Sequence, residues 1–302
     1  YCSLMVKLDA QPITRHQAAP ASGLPITAER YVSPAWLARE ADQLWSKVWM
    51  FACLARDVAE PGSFHVVDIG RESIIVSRSD TGLHAFYNSC QHRGMRIADG
   101  QGCSQRFVCG YHGWTYRPDG RLVVVPDNDR FPGGVDRAAH SLQQVQLDTF
   151  AGLVFVCMDP TAAPLADYLG LVAEQVAPYR LEDMTLIGDQ TVGLACNWKA
   201  LFDNFGELYH VAHIHPQHGE LFDCPSARVE LFDNGHTGVS IDGHTVNPRF
   251  PIPDLPNFYL EHQLRVFGAD PADYAGRVSD IRADMQRIRR EAGPRLGFDP
   301  FE

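Results

Sequence analysis

Cys90-Gln91-His92 and Cys109-Gly110-Tyr111-His112, with residues 93–108 between them, offer two thiolates and two imidazoles to a metal. Each pair holds one Cys and one His. That mixture suits a [2Fe-2S] centre in which both thiolates hold one iron and both imidazoles the other. A zinc finger groups its ligands along the chain differently, Cys with Cys and His with His. A zinc knot on the same four ligands, or a Cys90–Cys109 disulfide, is the plainer structural reading. Neutral imidazoles carry less negative charge than thiolates, so His92 and His112 raise the reduction potential above that of an all-cysteine cluster. Gly94, Gly110 and Gly113 let backbone N–H groups approach the inorganic sulfides, and Tyr111 and Trp114 supply apolar cover.

A second constellation runs from Asn197-Trp198-Lys199 through Asp203-Asn204-Phe205-Gly206-Glu207-Leu208-Tyr209-His210 to His213-Ile214-His215-Pro216. A helix through it places Glu207 and His210 on one face, where they can share a metal with a second His. His213 and His215 compete for that role. Pro216 disfavours helical geometry at His215, so the chain unwinds there and can swing His215 inward, which makes it the preferred ligand. Asp203 is an alternative acid to Glu207, and a polar surface helix is the plain alternative to a metal site. A facial triad of two His and one carboxylate needs a further Asp or Glu. Asp254, Asp270 and Glu291 are available, but none has a context that assigns it.

Elements must hold these groups, and the chain has room for them. It has 302 residues, 45% hydrophobic and 21% charged, enough for two domains. A formal net charge of -11 with no compensating basic run argues against nucleic acid as a partner. No apolar stretch is long enough to span a bilayer, and cysteines scattered from Cys2 to Cys224 fit a reducing cytoplasm. Cys53, Cys157 and Cys196 read as buried small hydrophobes. Ser33-Pro34 starts an amphipathic helix carrying Trp36, Leu37, Leu44, Trp45, Val48 and Trp49. Strand runs at 64–68, 73–77 and 153–156, with turns at Ser79-Asp80-Thr81-Gly82 and Pro118-Asp119-Gly120, describe a small antiparallel β domain with the metal ligands on two loops. A helix is expected over 164–179, strands over 184–194 and 228–241, and a helix with a solvated arginine face (Arg282, Arg287, Arg289, Arg290) over 271–291. The expected organisation is a tail and helix over 1–50 packing on the second domain, a cluster domain over 51–160 and the start of a catalytic domain over 161–302. The chain opens on Tyr1-Cys2-Ser3-Leu4, with Met5 a plausible start, and is expected to be truncated at its C-terminus.

Cys90-Gln91-His92-Arg93-Gly94 and Cys109-Gly110-Tyr111-His112-Gly113-Trp114 closely resemble the two cluster loops of the Rieske oxygenases, and the segment from Asn197 to His215 resembles the catalytic domain of their α subunits. The resemblance implies an α+β chain: an N-terminal antiparallel β Rieske [2Fe-2S] domain, then a partial helix-grip catalytic domain of antiparallel sheet plus helices. It makes Cys90, His92, Cys109 and His112 the cluster ligands, and His210 and His215 two ligands of a mononuclear Fe(II) whose carboxylate lies farther downstream. It makes Glu207 the acid that bridges to the Rieske histidine of a neighbouring subunit. It further implies O2 as co-substrate and NAD(P)H electrons delivered by a ferredoxin or flavin reductase, because this chain carries no Gly-rich dinucleotide fingerprint of its own. The assembly implied is a homotrimer or α3β3, and the substrate a small organic molecule, aromatic or related, that is mono- or dihydroxylated. Many members have Asp where this chain has Glu207, a departure that points towards members acting on quaternary amines, including oxidative demethylases. The rival from another class is a non-catalytic Rieske electron carrier, which leaves Glu207 to His215 unexplained.

Overall fold

The computed structural model of the chain describes residues 26–215, 224, 227–232, 234–240 and 251–296. They fall into two compact units, Ile26–Val192 and the described part of Gly193–Glu302. Cys2, Met5, Pro216, His218, Ile241 and His244 lie outside the described residues.

The Ile26–Val192 unit is built from ten strands: β1 (Met50–Leu54), β2 (Ser63–Ile69), β3 (Glu72–Ser79), β4 (Gly82–Tyr87), β5 (Gln101–Cys103), β6 (Phe107–Val108), β7 (Thr115–Tyr116), β8 (Leu122–Val124), β9 (Gln146–Phe150) and β10 (Leu153–Cys157). All pair antiparallel, in sheets ordered β4-β3-β2-β5, β6-β7-β8 and β1-β10-β9. The strand runs and turns expected from the sequence fall inside this frame. β3 explains why its sequence is a continuous Ile-Ile-Val rather than an alternation. Ile74 and Val76 face one core with Val154 and Val156, whereas Ile75 faces the other with Phe86, Trp114, Tyr116, Cys90 and Cys109. A strand covered on both faces has no polar side. All three side chains are fully buried, each worth about 1.5–3 kcal/mol relative to exposure.

The N-terminal helix starts earlier than Ser33 and ends before Trp49. It runs as α1 (Glu29–Val32), α2 (Pro34–Glu40) and a wider π turn at Ala41–Trp45. Trp45 packs on the first core, and buried Trp49 donates its indole N–H to the Ala163 carbonyl at 2.8 Å. Trp36 is half-buried, with the Arg30 and Arg39 guanidinium groups over its ring, and Leu37 is exposed. The helix expected over 164–179 is broken at Gly170 into α3 (Leu165–Leu169) and α4 (Leu171–Val176), followed by a 3-10 turn at Ala177–Tyr179. The strand expected over 184–194 has no ladder partner among the described residues, and Ile187 is 99% exposed. A strand signal becomes a strand only where another edge accepts its hydrogen bonds.

Cys196 is likewise exposed rather than buried, because its apolar neighbours Val192 and Leu194 are themselves exposed. Cys53 and Cys157 are buried as expected. Burial, with a smaller push from Asp57, raises the Cys53 thiol to about 12, and burial also raises Cys157. Alkylation of the native protein at neutral pH is expected to modify Cys103 and Cys196 and to spare Cys53 and Cys157 until the chain unfolds. Peptide mapping after brief iodoacetamide treatment checks this, and early labelling of Cys53 would contradict it.

In the second unit, α5 (Trp198–Phe205) and α6 (Val211–Ile214) carry the histidine segment, followed by the hairpin β11 (Arg228–Leu231) and β12 (Thr237–Ser240). α7 (Phe258–Val266) and α8 (Asp280–Leu296) then enclose Leu264, Tyr274, Val278, Ile281, Met285 and Ile288. The helix expected from Pro271 begins only at Asp280. Asp270 caps a short 3-10 turn at Pro271–Tyr274, and Gly276, at φ 72°, takes the chain out of helical geometry. Arg287 and Arg290 are exposed as expected, and Arg289 lies over the Phe267 ring. The Arg282 side chain lies outside the described set. The fold is thus α+β, and every strand pairing among the described residues is antiparallel. Among the described residues no helix is long and apolar enough to cross a membrane.

Candidate metal centres

Cys90 follows β4 and Cys109 follows β6, and the two loops close in the same way. The Cys90 carbonyl accepts from Gly94 N at 2.8 Å, and Cys90 N donates to the Met95 carbonyl at 2.9 Å. The Cys109 carbonyl accepts from Gly113 N at 2.9 Å, and Cys109 N donates to the Trp114 carbonyl at 2.8 Å. In both loops the fourth residue after Cys is a glycine, at φ 73° (Gly94) and 72° (Gly113), a conformation that costs other residues about 1–2 kcal/mol. A Cβ on Gly113 would also press within 3.2 Å of Pro126. Two copies of one backbone knuckle therefore present the candidate ligands, with His two residues after Cys in the first and three in the second.

The donors sort by type. Cys90 and Cys109 are buried free thiols of one core, close enough for Cys109 to help raise the Cys90 thiol, and the His92 and His112 rings are 4.6 Å apart between centroids at 69°. Sulfur beside sulfur and imidazole beside imidazole is the arrangement a [2Fe-2S] cluster with unlike irons requires. A single tetrahedral zinc would draw all four donors to one point. Among the described residues no three His, Cys, Asp or Glu converge in that way. Burial raises the Cys90 thiol above its ordinary range, so a metal binding there displaces its proton. Partial burial, then His112 and Arg93, hold His92 below its ordinary range, which favours the neutral ligating form. Buried Trp114 stacks on His92 (4.9 Å, 10°), and exposed Tyr111 stacks on His112 (3.8 Å, 30°). The cover expected of Tyr111 is thus a lid over one ring, whereas Trp114 is core.

Tyr116 on β7 is a site residue that the sequence reading did not single out. It is fully buried, its hydroxyl accepts from Gln91 N at 3.0 Å, and it lies 3.3 Å from Cys90 Sγ. Burial raises its pKa, and the neighbouring Cys90 raises it further, so the phenol keeps its proton. A metal-bound Cys90 thiolate has no proton to give, so in the loaded site the phenol is the donor of the 3.3 Å pair. Donors to a cluster sulfur favour the reduced, more negative state. Tyr116→Phe is expected to lower the midpoint potential by tens of millivolts, since about 1.4 kcal/mol corresponds to about 59 mV for a one-electron couple. A potentiometric titration checks this, and an unchanged or higher midpoint would refute it. The sequence offered one signal for Tyr116, a tyrosine facing the cysteine core from the strand leaving the second loop.

In the histidine segment, Asn197 Oδ1 accepts from Lys199 N at 3.0 Å and caps α5, which places Asp203 and Asn204 on that helix. The single helix expected from the sequence is interrupted. α5 ends at Gly206, and Glu207 stands between it and α6. Glu207 Oε2 accepts from the N–H groups of Tyr209 and His210, closing the next turn, while Oε1 lies 2.5 Å from His210 Nδ1. Partial burial pushes the Glu207 carboxyl up, but the bonds from the His210 ring and from the two backbone N–H groups outweigh it and hold the group below its ordinary range. With Nδ1 occupied, His210 offers Nε2 to a metal. His215 has left helical geometry (φ -122°, ψ 59°), as the following proline predicts, and its ring lies 5.5 Å from that of His210. His213 is exposed. No third donor completes a set with His210 and His215 among the described residues. Asp270 is engaged as a cap to Ala272 N, Glu291 pairs with Arg287, and the Asp254 carbonyl accepts from Gly276 N. His236 is half-buried beside β12, and His262 is exposed on α7.

Comparison with known proteins matches residues 48–149 to the Rieske [2Fe-2S] domain and residues 181–297 to the ring hydroxylating alpha subunit (catalytic domain). The chain is 31% identical over 189 residues to the glycine betaine monooxygenase oxygenase subunit of Chromohalobacter salexigens, covering 62% of this chain and 42% of that one. It is 29% identical over 272 residues to the large oxygenase component of the 2,4-dinitrotoluene dioxygenase system of Burkholderia sp., covering 82% and 58%. Among solved structures, the quaternary ammonium Rieske monooxygenase CntA superposes with a TM-score of 0.64 at 26% identity, covering 70% of this chain and 59% of that one. Naphthalene 1,2-dioxygenase from Rhodococcus sp. superposes at 0.60 and 28%, covering 80% and 58%. The chain spans about half the length of the curated relatives it matches. With both domain models matched along it and large oxygenase subunits aligned across them, the chain belongs to the Rieske oxygenase α-subunit family.

Proposed function

We propose that this chain belongs to the large subunit of an oxygenase that hydroxylates a small organic molecule with O2 and electrons from NAD(P)H. The observation that carries this reading is the sorting of Cys90 with Cys109 and of His92 with His112 on two matching loops. Glu207, His210 and His215, close together in the second unit, add to it. The four loop residues would hold the [2Fe-2S] cluster. His210 and His215 would hold a mononuclear Fe(II), completed by a carboxylate from outside the described residues. When bound, these groups supply single electrons and O2 activation respectively.

The rest falls to the chain's own side chains. Glu207 fixes the His210 ring through Nδ1 and leaves Nε2 for the metal. In a homotrimer or α3β3 assembly, the same carboxylate would bridge to a cluster histidine of a neighbouring subunit. Exposed His112 is the better placed of the two imidazoles to be reached. A cytoplasmic ferredoxin or flavin reductase would deliver the electrons, in keeping with the names of relatives that are one component of a system. An aromatic substrate is the first reading, supported by dinitrotoluene, anthranilate and naphthalene dioxygenases among the relatives. A quaternary amine is the second, favoured by Glu207 in place of the commoner Asp and by the betaine and carnitine monooxygenases.

Iron and acid-labile sulfide analysis of the full-length, reconstituted subunit tests the class. Three irons and two sulfides per chain are expected of the oxygenase, two irons of an electron carrier, and colourless zinc protein of a knot. Product analysis with a reductase then separates hydroxylated rings from aldehyde released by N-dealkylation.

A further inference from the structure

Asn88 precedes the first ligand loop by two residues and is only 4% exposed. Every hydrogen-bonding position of its amide is used. Oδ1 accepts from Ile97 N at 2.9 Å and from Ala98 N at 3.1 Å, while Nδ2 donates to the Ala98 carbonyl at 2.7 Å and to Ser73 Oγ at 3.1 Å. One side chain thus ties together the two ends of the stretch that contains Cys90 and His92, and joins both to β3. Ser73 stands opposite Asp68 in the β2–β3 ladder. Asp68 accepts from Arg96 Nη1 at 3.0 Å, and Arg96 Nε donates to the same Ala98 carbonyl at 3.2 Å. The contacts form a closed ring through Asn88, Ser73, Asp68, Arg96 and Ala98.

We propose that Asn88 is a positioning residue for the cluster, and that its clasp holds the first loop in the register that keeps Cys90 Sγ against the Tyr116 hydroxyl. The inference rests on the cluster assignment made above. Loss of the amide orphans the part-buried N–H groups of Ile97 and Ala98 at the foot of the loop and leaves the Ala98 carbonyl to Arg96 Nε alone, and a desolvated group left without its partner costs about 1–3 kcal/mol. The loop relieves that cost by moving, and the 3.3 Å contact between Tyr116 and Cys90 is the interaction on the cysteine side that such movement lengthens. Withdrawal of that donor disfavours the reduced cluster.

The test is a potentiometric titration of the cluster-loaded protein, followed by the electron paramagnetic resonance signal of the reduced cluster. Asn88→Ala is expected to lower the apparent equilibrium constant for reduction about tenfold, a midpoint shift of about 59 mV for one electron. Ser73→Ala, which removes one partner of the amide and leaves the rest, is expected to shift it in the same direction by less, and it decides the matter if Asn88→Ala does not load. In a Tyr116→Phe background either shift should largely disappear. Leu165→Ala, a buried change in the same unit outside both loops, should lower thermal stability and leave the midpoint where it was. An unchanged midpoint in a loaded Asn88 or Ser73 variant overturns the proposal, as does a full shift that persists without the Tyr116 hydroxyl. A wild-type protein with no reduced-cluster signal overturns the cluster assignment as well, which separates the two failures.

Discussion

His210→Ala and His215→Ala are each expected to leave a full-length subunit with two irons per chain instead of three, an unaltered cluster spectrum and almost no oxygenated product. The expectation follows from geometry. The two rings adjoin at 5.5 Å, and Glu207 occupies His210 Nδ1, so the remaining ring nitrogen is the one left for a metal. Removal of an outer carboxylate partner costs about 10–100-fold in metal affinity or activity, and removal of the ligand itself costs more. Glu207→Gln should therefore be the milder change of the three. His213→Ala provides the contrast, because His213 is exposed and should keep all three irons and most of the turnover. Metal analysis with single-turnover product assays checks this. Iron loss in the His213 variant with retention in the His215 variant would reverse the assignment.

Cys109→Ala has the second large expected effect, loss of the visible chromophore together with both irons and both sulfides of the cluster. Cys109 is 3% exposed, packs in the core with Cys90, Trp114 and Tyr116, and is the sulfur partner of Cys90. No other described thiol shares that core, so no neighbouring sulfur can replace it. Backbone closure of the second loop runs from the Cys109 main chain and survives the substitution, so the β sheets should remain folded by circular dichroism while the absorbance is lost. Retained colour would move the thiolate role elsewhere. Loss of all folded signal would mean that the side chain serves the core before it serves the metal.

Both ligand loops were legible in the sequence because their chemistry is local. A Cys, a His and a Gly within five residues fix a loop that closes on itself. The strands around them were legible for a similar reason, since Ile74-Ile75-Val76 and the turn at 79–82 carry their own signals. Features that depend on partners distant in sequence were not legible. Tyr116 reads as an ordinary core aromatic until its hydroxyl is found between Gln91 N and Cys90 Sγ. Asn88 reads as a turn residue until its amide is found on Ile97, Ala98 and Ser73. The strand expected over 184–194 and the burial expected of Cys196 failed together, because both assume neighbours that the described residues do not supply. In the histidine segment the backbone departs from the single helix expected. Gly206 ends α5, and it is this break that frees Glu207 to cap the following turn and reach the His210 ring from outside the helix.

The twin knuckles at Cys90 and Cys109 bear on how such a centre is matured. Each is closed by two backbone bonds within its own short span, and those bonds use neither sulfur nor imidazole. The main-chain entropy of arranging four donors, about 1–2 kcal/mol for each residue fixed, is therefore met by the polypeptide as it folds. Assembly of the inorganic core is left with an exchange of thiol protons for iron, so its progress should be governed by acidity and by the supply of iron and sulfide more than by any rearrangement of the chain.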